Sequence, residues 1–208
     1  CSPVTRKSKI TIGASISAVS SGVNSSTIYP WHQATWELSW TARRAGRLPH
    51  ALLLSGSHGC GHEALIEELA HSLLCSHPTD AGFACGKCRS CEVYRANAHP
   101  DQLWVQPAED KDSIGIDAVR ELGRFLTLSI SYSPTRVGVI LPAESLNTNA
   151  ANSLLKALEE PTPATHLVLY AYQAGLLLPT IRSRCQHFRL PLPSTEQALA
   201  WLTAQHTQ

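Results

Sequence analysis

The chain has 208 residues, 43% hydrophobic and 16% charged, with a formal net charge of +1. These are the proportions of an ordinary globular chain, and no apolar run approaches the roughly 18 residues that a helix needs to span a bilayer. Arg6, Lys7 and Lys9 are the only charged residues before position 29, which leaves 14 basic against 16 acidic residues in the remainder. A domain that grips nucleic acid alone carries a basic face, and this one has no such excess.

Residues 1–28 are rich in Ser, Thr and Gly, lack periodicity, and read as a disordered or non-native extension. A leading Cys1 before a Ser-rich stretch has the look of a lipid tether, but no signal segment accompanies it. From Tyr29 the texture changes. Trp31, Trp36 and Trp40 with Leu38 suit an amphipathic helix ending near Arg44–Gly46, its tryptophans packing rather than forming a base-stacking platform. Ala51–Leu54 is a buried strand running into Ser55-Gly56, and Leu65, Ile66, Leu69 and Leu73 form one face of a helix over 63–75.

Leu103–Val105 reads as the next strand, and Asp117 as the N-cap of a helix carrying Val119, Leu122 and Leu126. Arg136–Leu141 is a β-rich apolar run. Asn147–Glu160 is a helix stopped by Pro161 and Pro163, and its Glu159-Glu160 end reads as a solvated terminus. Leu167–Tyr170 and His187–Leu190 are further strands, and Thr195–Thr203 opens a last helix. Strands alternating with helices of this length predict an α/β fold, a parallel sheet covered on both faces.

Four cysteines, Cys75, Cys85, Cys88 and Cys91, carry the strongest chemical signal. Two-residue gaps suit a metal better than paired disulfides, and four soft ligands suit one tetrahedral, structural Zn2+ with no open position for catalysis. They imply a reducing, cytoplasmic setting. Cys1, Cys60 and Cys185 read as plain cysteines, and only His77 competes as a ligand.

The strand–loop–helix at 52–65 has the layout of a phosphate loop, in which Gly, four residues, Gly, Lys and Ser/Thr cradle phosphates and magnesium. Gly56, Gly59 and Gly61 are present, but His62 stands in the lysine position and Glu63 in the hydroxyl position. A neutral imidazole is a poor phosphate ligand and a carboxylate repels phosphates. The strand Val137–Leu141, where such enzymes end in a magnesium-holding acid, runs into Pro142, and the first acid, Glu144, comes too late. Two separate losses argue against an ATPase, and the loop by itself reads equally as a Gly-rich βα turn of an unrelated fold.

Further segments follow in order: Tyr29-Pro30-Trp31, His50-Ala51-Leu52-Leu53, Cys85-Gly86-Lys87-Cys88-Arg89-Ser90-Cys91, His99-Pro100-Asp101, Ile116-Asp117-Ala118-Val119-Arg120, Ala150 to Pro161, and Arg182-Ser183-Arg184-Cys185. In this combination the chain resembles the delta-prime family of bacterial DNA polymerase III clamp-loader subunits, within the AAA+ group. The resemblance runs from residue 29 to about 203. It implies a RecA-like AAA+ domain over 29–187 with a zinc module at 75–91, the start of a helical lid over 188–208, and no counterpart of the family's collar domain.

It implies a subunit of a DNA-directed DNA polymerase assembly, a nucleotidyltransferase, acting in DNA replication as a non-hydrolysing stator. Arg184 would be an arginine finger on ATP held by a neighbour, the alternative being that it only pairs with a nearby carboxylate before the final strand. The implied partners are gamma/tau and delta-type subunits, with the sliding clamp and primer-template DNA reached through the assembly. Two other classes stand as alternatives. An ATP-hydrolysing clamp-loader subunit or helicase loader needs the lysine and acid that are absent, and a zinc-dependent nucleic-acid-binding module needs a basic surface.

Overall fold

The computed structural model describes residues 9–12, 28–108 and 111–206. Most of the 1–28 extension therefore lies outside the described residues; of its described parts, Lys9–Ile12 forms a strand, β1, and Ile28 is buried in the core. The helices are α1 (Gln33–Arg44), α2 (His62–Leu74), α3 (Arg89–Arg95), α4 (Ile116–Thr127), α5 (Thr148–Glu159), α6 (Pro179–Arg182) and α7 (Thr195–His206). The other strands are β2 (Ala51–Ser55), β3 (Gln102–Gln106), β4 (Arg136–Ile140), β5 (Thr165–Ala171) and β6 (Gln186–Arg189). Five strands run parallel in the order β3-β4-β5-β2-β6, and β1 pairs antiparallel on the outer edge of β3.

Both sheet faces are buried, which is why the central strands are continuous apolar runs. In β2, Ala51 and Leu53 point into one cluster with Leu122 and Leu126 of α4 and Leu154 and Leu158 of α5. Leu52 and Leu54 point into the other, with Trp36 of α1 and Leu65, Leu69 and Leu73 of α2. At Gly138, mid-β4, a Cβ would come within 2.7 Å of Leu122 Cδ1, so the small residue lets α4 sit directly on the sheet.

Two helix starts differ in kind. The Asn147 side chain accepts from Ala150 N–H at 2.9 Å and caps α5 as its sequence predicts. Asp117, in contrast, is not a cap. Gly115 takes that position, and Asp117 lies inside the first turn, where its carboxylate favours the helix dipole. The helices α3 and α6, of seven and four residues, are too short to announce themselves by periodicity.

A buried polar chain ties the layers together. Ser90 Oγ donates to Leu74 O at 2.7 Å, so the His99 Nε2 2.8 Å away must donate to that hydroxyl. His99 Nδ1 then accepts from Asp101 N–H at 3.1 Å, which fixes the neutral Nε2–H tautomer. Asp101, fully buried, pairs with Arg136 Nη2 at 3.0 Å and accepts from the N–H groups of Ser131, Tyr132 and Ser133. Arg136 also donates to Phe125 O and Ser129 O, closing the end of α4 onto the start of β4.

Burial alone would raise the Asp101 carboxyl pKa; the hydrogen bonds from Tyr132, Ser131 and Ser133 outweigh it and hold the group below its ordinary value. A depressed carboxyl contributes stability that is complete above its unfolded value and is lost as pH falls through that value toward the folded one. Asp101→Asn strips the charge and leaves Arg136 buried without its counter-ion. We expect a loss of about 3–5 kcal/mol at pH 7 in urea unfolding, and a flatter stability profile than the wild type below about pH 4.

Candidate functional site

The four cysteines predicted to bind metal converge. Cys75 caps the end of α2, Cys85 and Cys88 flank a turn through Gly86, and Cys91 lies in α3. All four sulfurs lie within 4.8 Å of one another, with separations of 3.9 Å for Cys75–Cys88, 3.9 Å for Cys85–Cys91 and 3.5 Å for Cys88–Cys91. A tetrahedral ion at a zinc–thiolate distance of about 2.3 Å requires edges of roughly 3.8 Å, so the set can hold a metal ion. His77 is exposed and outside the cluster, Cys60 is a buried member of the glycine loop, and Cys185 packs against the core. Cys1 lies outside the described residues.

Backbone N–H groups point at these sulfurs: Cys85 N–H to Cys75 Sγ at 3.3 Å, Cys88 N–H to Cys85 Sγ at 3.4 Å and Lys87 N–H to Cys85 Sγ at 3.5 Å. The Lys87 N–H leads in holding Cys85 below the ordinary thiol value. Burial would raise Cys88, yet N–H groups of Cys91 and Ser76 and the adjacent thiols bring it to about 6. Burial pushes Cys75 and Cys91 up. An ion at the centre would displace the remaining protons.

The preceding loop docks on α1. Trp36 Nε1 donates to Ala81 O and Trp40 Nε1 to Asp80 O, both at 2.9 Å, and Phe83 stacks on Trp36. Gly82, at φ +90°, meets the Trp40 ring where a Cβ would stand 2.6 Å from it. These tryptophans therefore pack, as predicted.

The glycine loop keeps its turn but not an open mouth. Gly59 and Gly61 adopt φ of +77° and +75°, and a Cβ on Gly61 would lie 2.1 Å from Tyr29 Cε2, so an aromatic ring covers the last glycine. Trp31 Nε1 donates to Cys60 O at 2.7 Å, and the Tyr170 hydroxyl donates to Gly56 O at 2.6 Å. Tyr29 stacks on Trp31, and Trp201 of α7 tilts against it at 5.2 Å.

His62, the first residue of α2, is buried and stacked on Tyr170 with centroids 4.0 Å apart. Burial, with His58 and His32 adding to it, lowers its pKa to about 4, so the imidazole is neutral at pH 7. Glu63, half-exposed, sits 3.9 Å from it. Leu141 is buried where an acid would hold magnesium. Glu144 is occupied by the backbone after β5, accepting from Tyr172 N–H at 2.8 Å and Gln173 N–H at 3.1 Å.

Arg184 follows α6 and is partly exposed. Its Nη1 donates to Thr180 O at 3.0 Å and its Nη2 pairs with Glu159 Oε1 at 2.7 Å. A nearby carboxylate is the alternative partner that the sequence offers Arg184, but which carboxylate it is, like the stacking of His62 on Tyr170, joins segments distant in the chain and leaves no local signal.

A family profile described as "DNA polymerase III, delta subunit" matches residues 31–194. The protein named DNA polymerase III subunit delta' of Pseudomonas aeruginosa is 44% identical over 176 residues, covering 84% of this chain and 52% of the relative. The Escherichia coli protein of the same name is 37% identical over 179 residues, covering 86% of this chain and 53% of the relative. The chain thus spans about half the length of these curated relatives. A solved structure of a DNA polymerase III gamma subunit-related protein from Thermotoga maritima matches at a TM-score of 0.55 and 24% identity, over 76% of this chain and 47% of that one. That likeness speaks for the AAA+ fold, the architecture expected here, with the cysteine cluster inserted between α2 and β3. On the extent of the profile match and the names of its curated relatives, the chain belongs to the DNA polymerase III delta-prime subunit family.

Proposed function

We propose that this chain is the AAA+ part of a clamp-loader subunit that serves DNA replication as a non-hydrolysing stator in the cytoplasm. In this reading its fold carries a structural zinc ion, α7 opens a lid domain, and Arg184 acts on ATP bound by a neighbouring gamma/tau-type subunit. The delta subunit, sliding clamp and primer-template DNA are reached through the assembly. The observation that carries the reading is the filled glycine loop: the turn persists, while Tyr29, His62 and Leu141 stand where a nucleotide and its magnesium need space, charge and an acid. A fold of this kind without its own nucleotide chemistry is left with an exposed guanidinium to offer. Arginine suits that task, because its planar, permanently charged fork can donate twice to oxygens gaining charge in phosphoryl transfer.

Three outcomes follow. Purified protein should contain one zinc per chain by elemental analysis, and Cys88→Ser should lower both metal content and thermal stability; well under one zinc with all thiols reduced overturns the zinc assignment. Calorimetry with ATP and magnesium should give no micromolar binding and no turnover, and a micromolar constant would overturn the stator reading. In a loader rebuilt with a full-length subunit, Arg184→Ala should preserve assembly while DNA-stimulated ATPase and clamp loading fall. Arginine fingers are worth roughly 10³–10⁵ in rate, though several ATP sites dilute the overall deficit. Wild-type activity in an assembled complex would refute the finger.

A further inference from the structure

Glu159 sits in the last turn of α5, where the carbonyl ends of the helix make a carboxylate unfavourable unless a cation faces it. Its neighbour Leu158 is buried in the core, and Leu158 O lies 3.0 Å from His50 Nε2, so the backbone under Glu159 is held. On the other side, Ile181 is buried in the same apolar cluster, and Arg184 N–H donates to Ile181 O at 3.1 Å. Two anchored segments thus present one carboxylate and one guanidinium to each other at 2.7 Å.

The guanidinium has five N–H donors. Thr180 O takes one on Nη1 and Glu159 takes one on Nη2, leaving three donors on a side chain that is 36% exposed. Glu160, next in the chain, does not share in this contact: it is the C-cap of α5, with its backbone N–H on Lys156 O.

We infer that Glu159 is a positioning residue for Arg184, fixing the plane of the guanidinium with its remaining donors toward solvent and toward a neighbour's phosphates. The inference rests on the reading of Arg184 as a trans-acting finger and deepens it. A free arginine side chain samples many rotamers. One held at two donors loses less freedom when it meets its target. The contact is half-exposed, so the pair is weak enough not to compete with a phosphate for the guanidinium.

The test uses a clamp loader rebuilt with the full-length subunit, reading kcat and KM for DNA-stimulated ATP hydrolysis, with assembly checked by gel filtration. Glu159→Ala should lower kcat about two- to fivefold with KM for ATP unchanged, the scale of an exposed ion pair. The isosteric Glu159→Gln, which keeps an acceptor oxygen in place and guards against a folding defect, should recover most of that loss. Glu160→Ala should match the wild type. In an Arg184→Ala background, Glu159→Ala should cost nothing further. Wild-type kcat for Glu159→Ala, an equal fall for Glu160→Ala, or a further fall in the Arg184→Ala background overturns the positioning role while leaving the finger standing. Wild-type activity for Arg184→Ala alone removes the finger, and the positioning role with it.

Discussion

The ion pair between Asp101 and Arg136 is the interaction on which the layers depend. Neither charge reaches solvent, and each would be costly to bury alone. The expense is met because the Asp101 carboxylate also accepts from three successive backbone N–H groups and the Ser133 hydroxyl, while the guanidinium reaches two carbonyls and lies 4.7 Å over the Phe125 ring. Through His99 and Ser90 the same network continues to the end of α2 and the foot of the cysteine cluster. Sheet, α4 and cysteine cluster are registered by one polar thread running through an apolar molecule.

The glycine loop makes a complementary point about what a retained motif means. Its glycines still serve the turn and the close approach of Tyr29, so they have packing work without any phosphate present. Its carbonyls at Gly56 and Cys60 are taken by Tyr170 and Trp31. Such a loop is stabilised as a piece of the core, with these two carbonyls satisfied from within the chain.

How much of this was legible depended on how local the physics is. The cysteine cluster could be read because three of its members lie within seven residues and thiol spacing is local. The parallel strands could be read because burial on both faces demands unbroken apolar runs such as Ala51–Leu54. Asp117 misled, since a capping residue type two positions into a helix looks the same in one dimension as a cap. The Arg184–Glu159 contact and the stacking of His62 on Tyr170 bring together residues 25 and 108 positions apart, and no periodicity encodes such pairs. The Asp101–Arg136 pair was hidden for the same reason, although His99-Pro100-Asp101 had already stood out among the family segments.

The docking of the cysteine loop on α1 has an optical consequence. Trp36 and Trp40 each give their indole N–H to a carbonyl of that loop, and Trp36 carries Phe83 stacked on its face at 4.6 Å. Indole emission responds to the polarity and hydrogen bonding around the ring, so these two chromophores are native reporters of whether the loop is seated. The cysteine loop therefore carries its own fluorescent label, built from residues that the fold already needs for packing.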